Sequence, residues 1–169
     1  MRFINILTSL LLLIIIFSCN NNINKNGIEN QLIVHIELKI VQNDVLELYF
    51  DNRETNTFSS KKSIRKKIKG SNSFQKVSFI LDKDAYPNRI RIDLGENRSQ
   101  ETIEIKEIGL QYNNATHTFS NEEIDKLFKP NIYLDYRSLM ATPKQMNGNY
   151  DPYLESFNLS KYVNELILQ

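Results

Sequence analysis

Apolar and polar residues alternate along much of the chain. Across 31–50, the run QLIVHIELKIVQNDVLELYF sets Leu32, Val34, Ile36, Leu38 and Ile40 at every second position, with Asn43-Asp44 as the interruption. A period of two rich in β-branched residues predicts strands, here a hairpin or a bulged pair. The other face of the first strand holds Ile33, His35, Glu37, Lys39 and Val41, the mixture of a half-wet face, and His35 is expected there as a partly exposed sheet residue. Residues 51–63 are polar and rich in breakers, which predicts a long loop. The strongly basic 63–69, closed by Gly70-Ser71-Asn72, predicts an exposed edge strand whose lysines discourage strand-to-strand aggregation.

Further along, 74–81 alternates around Val77, Phe79 and Leu81, and Pro87-Asn88 turns the chain. Residues 89–94 then set Ile90, Ile92 and Leu94 on one face with Arg89, Arg91 and Asp93 on the other. Past a turn at Gly95-Glu96-Asn97, the stretch 102–112 carries Ile103 and Ile105 and then Ile108, Leu110 and Tyr112, a change of parity that predicts a β-bulge. One helix start stands out. Ser120 followed by Glu123 has the form of a capping box, Ile124, Leu127 and Phe128 give an apolar face, and Pro130 stops a helix placed at 121–129. A strand at 132–136, a loop through Pro143, Gly148 and Pro152, and a short amphipathic piece at 161–168 complete the pattern. Many short strands with little helix predict an all-β protein, an antiparallel β-sandwich or jelly roll. It fills 31–169 as one domain whose part from about 130 is a C-terminal extension.

The start of the chain follows another rule. Arg2 precedes an apolar run over 3–17, interrupted only by Asn5, Thr8 and Ser9. That run is shorter than the roughly 20 apolar residues a membrane-crossing helix needs, and it predicts a cleaved signal over 1–18. Its end, Ile16-Phe17-Ser18-Cys19, resembles a bacterial lipobox, with Phe17 where a small or aliphatic residue is usual. The resemblance implies acylation of Cys19 and attachment to the membrane through it. Each buried CH₂ of such chains contributes about 0.8 kcal/mol. Polar, Asn-rich residues follow, so 19–30 is expected to be the lipidated Cys and a flexible tether. The expected address is the bacterial cell envelope, lipid-anchored, with the periplasmic or surface face left open.

Composition narrows the chemistry. At 169 residues and 41% hydrophobic the chain is long enough for a sizeable core. Loss of Arg2 with the signal leaves 20 basic residues against 20 acidic, a balance that offers nucleic acid no footing. One Cys and two His exclude an internal disulfide and a thiolate metal cage. Asp82-Lys83-Asp84 presents two carboxylates, which suit a turn better than a structural Ca²⁺ site, and no cofactor is expected. There is no G-x-S-x-G, and no His has an identifiable Ser and Asp partner, so no catalysis is expected.

Alternation puts Arg91 and Asp93 on one face about 7 Å apart, close enough to grip one polar ligand. The alternative is a cross-strand ion pair with an acid or base of 102–108. Trp is absent, but among 8 Tyr and 9 Phe, the residues Tyr49, Tyr86, Tyr112, Tyr150 and Tyr153 adjoin polar loop residues and could stack on a sugar ring. Read together, NDVLELYFDN, FSSKKSIRKKIKGSNSFQKVSFIL and RIRIDLGENRSQETIEIKEIGLQY resemble, over about 31–113, a module of Bacteroidetes envelope lipoproteins. Its shape is similar to the galactose-binding-like β-sandwiches, which include many carbohydrate-binding modules. The resemblance implies a sandwich and a leaning toward sugars. The candidate ligand-binding set is therefore Arg91, Asp93, Tyr49, Asp51 and Tyr86, with a glycan as ligand. The rival is a structural or assembly lipoprotein that docks an envelope protein through a sheet edge or through Lys66, Lys67 and Lys69.

Overall fold

The alternation of the first strand fixes one of two sheets. In the computed structural model, which describes residues 30–51 and 57–169, β1 (Leu32–Lys39) runs antiparallel between β4 (Gln75–Ile80) and β6 (Ile103–Tyr112). Leu32, Val34, Ile36 and Leu38 are fully buried. The far edge of β6 is shared by two later strands. β7 (Ala115–Thr118) pairs with its C-terminal part, and β10 (Met140–Pro143), followed by β9 (Leu134–Arg137), pairs with its start. The β1–β6 register shifts between Glu37 and Leu38, so Lys106 is the extra residue of a bulge and the buried set passes from Ile103 and Ile105 to Ile108 and Leu110.

The second sheet has the order β3 (Ser63–Ile68), β2 (Asp44–Asp51), β5 (Arg89–Asp93), β11 (Tyr153–Ser156) and β8 (Phe128–Pro130), all neighbours antiparallel, so β1 and β2 lie in different sheets and not in the expected pair. Its inner residues Leu46, Leu48, Phe50, Ile90, Ile92 and Leu154 join the apolar face of the first sheet in one buried cluster. Full burial of each such side chain stabilises by about 1.5–3 kcal/mol relative to exposure. The protein is thus an all-β sandwich of two antiparallel sheets. Among the described residues no helix is long and apolar enough to cross a membrane. The signal segment, Cys19 and nearly all of the expected tether lie outside the described residues.

Two helices close the sandwich. α1 (Asn121–Leu127) begins with the Ser120–Glu123 capping box, in which the Ser120 Oγ accepts from the Glu123 N–H and the Glu123 carboxylate accepts from the Ser120 N–H at 2.8 Å. It ends at Leu127, short of the expected 129, because Phe128 is already extended and starts β8 beside β11. α2 (Ser160–Ile167) buries Val163 and Leu166, and its Tyr162 ring packs 4.7 Å from His117 and 5.1 Å from Phe119. The residues expected as a C-terminal extension are instead built into both sheets as β9, β10 and β11.

His35 corrects another expectation, being 3% exposed. Its imidazole lies over Gly109 on the neighbouring strand, where a Cβ would sit 2.4 Å from its Nε2. Burial, with the Lys76 cation beside it, lowers its pKa, so the ring is neutral and its Nε2–H donates to Glu107 Oε1 at 2.9 Å. Around it the outer face of this sheet is laced with ion pairs, Lys39 with Glu104, Lys106 with Glu37 and Lys76 with Glu107. Gly109→Ala is therefore expected to cost about 1–3 kcal/mol in urea unfolding, partly relieved in the double variant with His35→Ala. Equal costs with and without the imidazole would show that the ring does not need this seat.

Candidate functional site

The outer face of the second sheet is built differently. Because Leu46, Leu48, Ile90, Ile92 and Leu154 point inward, strand alternation turns Glu47, Tyr49, Arg91, Asp93 and Tyr153 outward. Register sets Tyr49 opposite Arg91 and Glu47 opposite Asp93, with Tyr153 opposite Asp93 from the other side. The Arg91 guanidinium lies 3.7 Å from the Tyr153 ring centroid and 5.2 Å from that of Tyr49. Its Nε donates to Asp93 Oδ1 at 2.6 Å, and its Nη2 donates to Asp93 Oδ2 at 2.8 Å and to Asp151 Oδ1 at 2.7 Å.

A second arginine repeats the arrangement at the sheet edge. Arg65 of β3 donates through Nη1 to Glu47 at 2.7 Å and through Nη2 to Glu96 at 2.5 Å. Glu96 belongs to a loop that the buried Asp44 holds in place. Asp44 Oδ1 accepts from the backbone N–H of Glu96 at 2.6 Å and of Asn97 at 3.0 Å, and Oδ2 accepts from Gln100 Nε2 at 2.9 Å. Gly95 enters this loop at φ +129°, and a Cβ there would lie 2.2 Å from Asp44 Oδ2, so both conformation and space require glycine. Tyr150 ties the far side down by donating its O–H to Asn97 O at 2.8 Å.

Glu47, Tyr49, Arg65, Arg91, Asp93, Glu96, Tyr150 and Asp151 line a cleft of about 400 Å³ that also contains Arg98. Burial pushes the Asp93 carboxyl up to about 6, with Asp151 and Glu47 adding to the rise and Arg91 opposing it. Burial, reinforced by Glu47 and Asp93, raises the Tyr49 phenol, and burial lifts Tyr150 to about 12. Both phenols therefore stay protonated. The cleft offers aromatic surface beside fixed donors and acceptors, the equipment for orienting a polyhydroxylated molecule. His35 and His117 are on β1 and β7 of the other sheet, so no imidazole serves this face. Among the described residues no group of three or more His, Cys, Asp or Glu is placed to hold a metal ion. Asp82 closes a turn instead, its carbonyl accepting from the Ala85 N–H at 3.1 Å.

Of the expected ligand set, Tyr49, Arg91 and Asp93 meet in the cleft, whereas Asp51 and Tyr86 do not line it. Asp51 is buried at the other end of β2, opposite Arg89. Tyr86 meets Tyr112 of β6, their hydroxyls 3.3 Å apart, and that hydrogen bond, with burial, raises its pKa to about 12. The expected ion-pair alternative for Arg91 and Asp93, a partner within 102–108, is also corrected. β6 belongs to the other sheet, and Arg91 finds Asp151 instead. Lys66, Lys67 and Lys69 are exposed on or just beyond the edge strand β3. Glu47, Arg65, Glu96, Arg98 and Asp151 were missed as site residues. Glu47 shares its parity with Tyr49, which was a usable signal; Asp151, in a loop, carried none.

Asp93 keeps its proton to about pH 6 in the folded protein and only to about pH 4 in the unfolded chain, so its contribution to stability is full below pH 4 and is lost as pH rises through 6. Asn does not titrate. Relative to the parent, Asp93→Asn should therefore gain up to about 3 kcal/mol between about pH 4 and pH 7, measured by urea unfolding at several pH values. A difference that stays constant across that window would show that burial does not lift this carboxyl.

Comparison of the chain with models of known families, with curated proteins and with solved structures gives no match.

Proposed function

We propose that the protein is a non-catalytic binding protein of the bacterial cell envelope, held to the membrane by an acylated Cys19, whose outer-face cleft takes a glycan. The observation that carries this is the convergence of Tyr49, Arg91 and Asp93 in a single cleft of about 400 Å³, with the Tyr150 ring on its far side. Sugars present apolar ring faces edged by hydroxyls, and such a ligand needs an aromatic surface flanked by donors and acceptors already in position. Here those groups are held by the guanidinium bridges and the Asp44 loop clamp, so little ordering cost remains for a ligand to meet. On the opposite face Lys39, Lys76 and Lys106 are instead matched one by one with acids.

A second reading has its own support. β3 is the edge of its sheet, and Lys66, Lys67 and Lys69 have no ion-pair partner among the described residues, so an acidic partner segment could dock there by charge complementarity. A glycan array separates the two. Specific binding is expected for the parent, with a loss of about ten-fold in Tyr49→Ala and no change in the triple variant Lys66→Glu, Lys67→Glu, Lys69→Glu. A silent array, together with crosslinking to an envelope protein that the triple variant abolishes, would transfer the function to the basic edge.

A further inference from the structure

The way the cleft distributes its charges also selects the kind of sugar, a step that rests on the glycan reading above. Four carboxylates and three arginines line it, and two of those arginines are already committed, Arg65 between Glu47 and Glu96, Arg91 between Asp93 and Asp151. Arg91 has both its Nε and its Nη2 engaged by carboxylates, and Tyr153 and Tyr49 lie close to its guanidinium, leaving its side chain 20% exposed. It cannot present the two-pronged fork with which arginine grips an anionic group.

The rim carboxylates stand open, with the Asp151 side chain 50% exposed and Glu96 61% exposed. Arg98 is the remaining cation, on the same loop as Glu96 and without an ion-pair partner among the described residues. A uronic acid or sulfated sugar entering the cleft meets four carboxylates, the unpaired Arg98, and an Arg65 that is half-exposed but already bridges Glu47 and Glu96. An ammonium meets two accessible carboxylates, Asp151 and Glu96, in a cleft also lined by Tyr49 and Tyr150. We infer that the cleft selects amine-bearing sugars over anionic ones, with Asp151 and Glu96 as the residues that set this specificity.

Three probes test it by titration calorimetry of the purified protein in low salt at about pH 6.5, above the Asp93 value of about 6: a glucosamine oligomer, its fully N-acetylated counterpart, and a galacturonic acid oligomer of the same length. The glucosamine oligomer should bind about five- to ten-fold more tightly than the acetylated one, and the galacturonic acid oligomer most weakly. In the double variant Asp151→Asn, Glu96→Gln the first two affinities should become equal, through weakening of the amine-bearing oligomer alone. Tighter binding of galacturonic acid, lost in Arg98→Ala, would overturn the inference, as would an amine preference that survives the double variant. Binding of the acetylated oligomer with no preference for the amine overturns this inference and leaves the glycan reading standing. Failure of all three to bind a protein with an intact β-sheet circular dichroism spectrum overturns this inference, while the glycan reading is decided by the array.

Discussion

A strand that buries one face must expose the other, and a slip of one residue would exchange them. In β2 and β5 this constraint acts twice, because the inward row Leu46, Leu48, Ile90 and Ile92 and the outward row Glu47, Tyr49, Arg91 and Asp93 are interleaved on the same backbone. A shift would bring two carboxylates and an arginine into the apolar core and put four aliphatic side chains in water. The hydrophobic core thus holds the register, and the register places Tyr49 against Arg91. Glu47, Tyr49, Arg91 and Asp93 inherit their geometry from packing on the far side of the sheet, whereas Glu96, Arg98, Tyr150 and Asp151 are set by loops.

Once these polar groups are outward but crowded, electrostatics decides their state. Arg91 could not lie between two tyrosine rings, largely shielded from water, unless its hydrogens found acceptors, and Asp93 and Asp151 supply them. The cost appears on Asp93, which is lifted toward neutrality by its own burial more strongly than the guanidinium can hold it ionised. Asp44 shows the opposite solution. There a buried carboxylate is surrounded by N–H donors from the next loop, and those bonds fix Glu96 on the rim. One acid serves the cleft from within it and the other from beneath it.

What could be read in the sequence follows from how far each signal reaches. Long alternating runs announce their own faces, so β1, β2, β5 and β6, with the bulge at Lys106, were visible, as was the Ser120 capping box, whose whole mechanism spans four residues. Strands of three or four residues that end or begin beside a Pro, such as β8 and β11, carry too little period to stand out from loop. Pairing over long separations was invisible for a different reason. Parity shows which way Arg91 points but not that β11, some 60 residues on, lies beside it, so Asp151 and the stacking of Tyr153 could not be foreseen. His35 failed in the same manner, since its burial depends on a glycine in the neighbouring strand. Tyr86, whose signal was its polar loop neighbours, and Asp51 each lie at a different end or layer of the sandwich.

The two unpaired edges on one side of the sandwich, β3 and β4, solve a common hazard by different means. An open edge invites another strand, and β3 resists this with charge, including Lys66, which is paired in register with the inward Leu46 and so points toward the mouth between the sheets yet remains exposed. An inward lysine of this kind obstructs a flat incoming strand more than it attracts a specific one, because an added β-strand would have to accommodate the ammonium beside apolar neighbours. β4 instead has Phe74 and Ile80 exposed at its two ends. The inward charge of β3 thus weighs against strand addition at this edge and supports the proposed reading of the cleft, where most of the charges are paired and set beside aromatic rings.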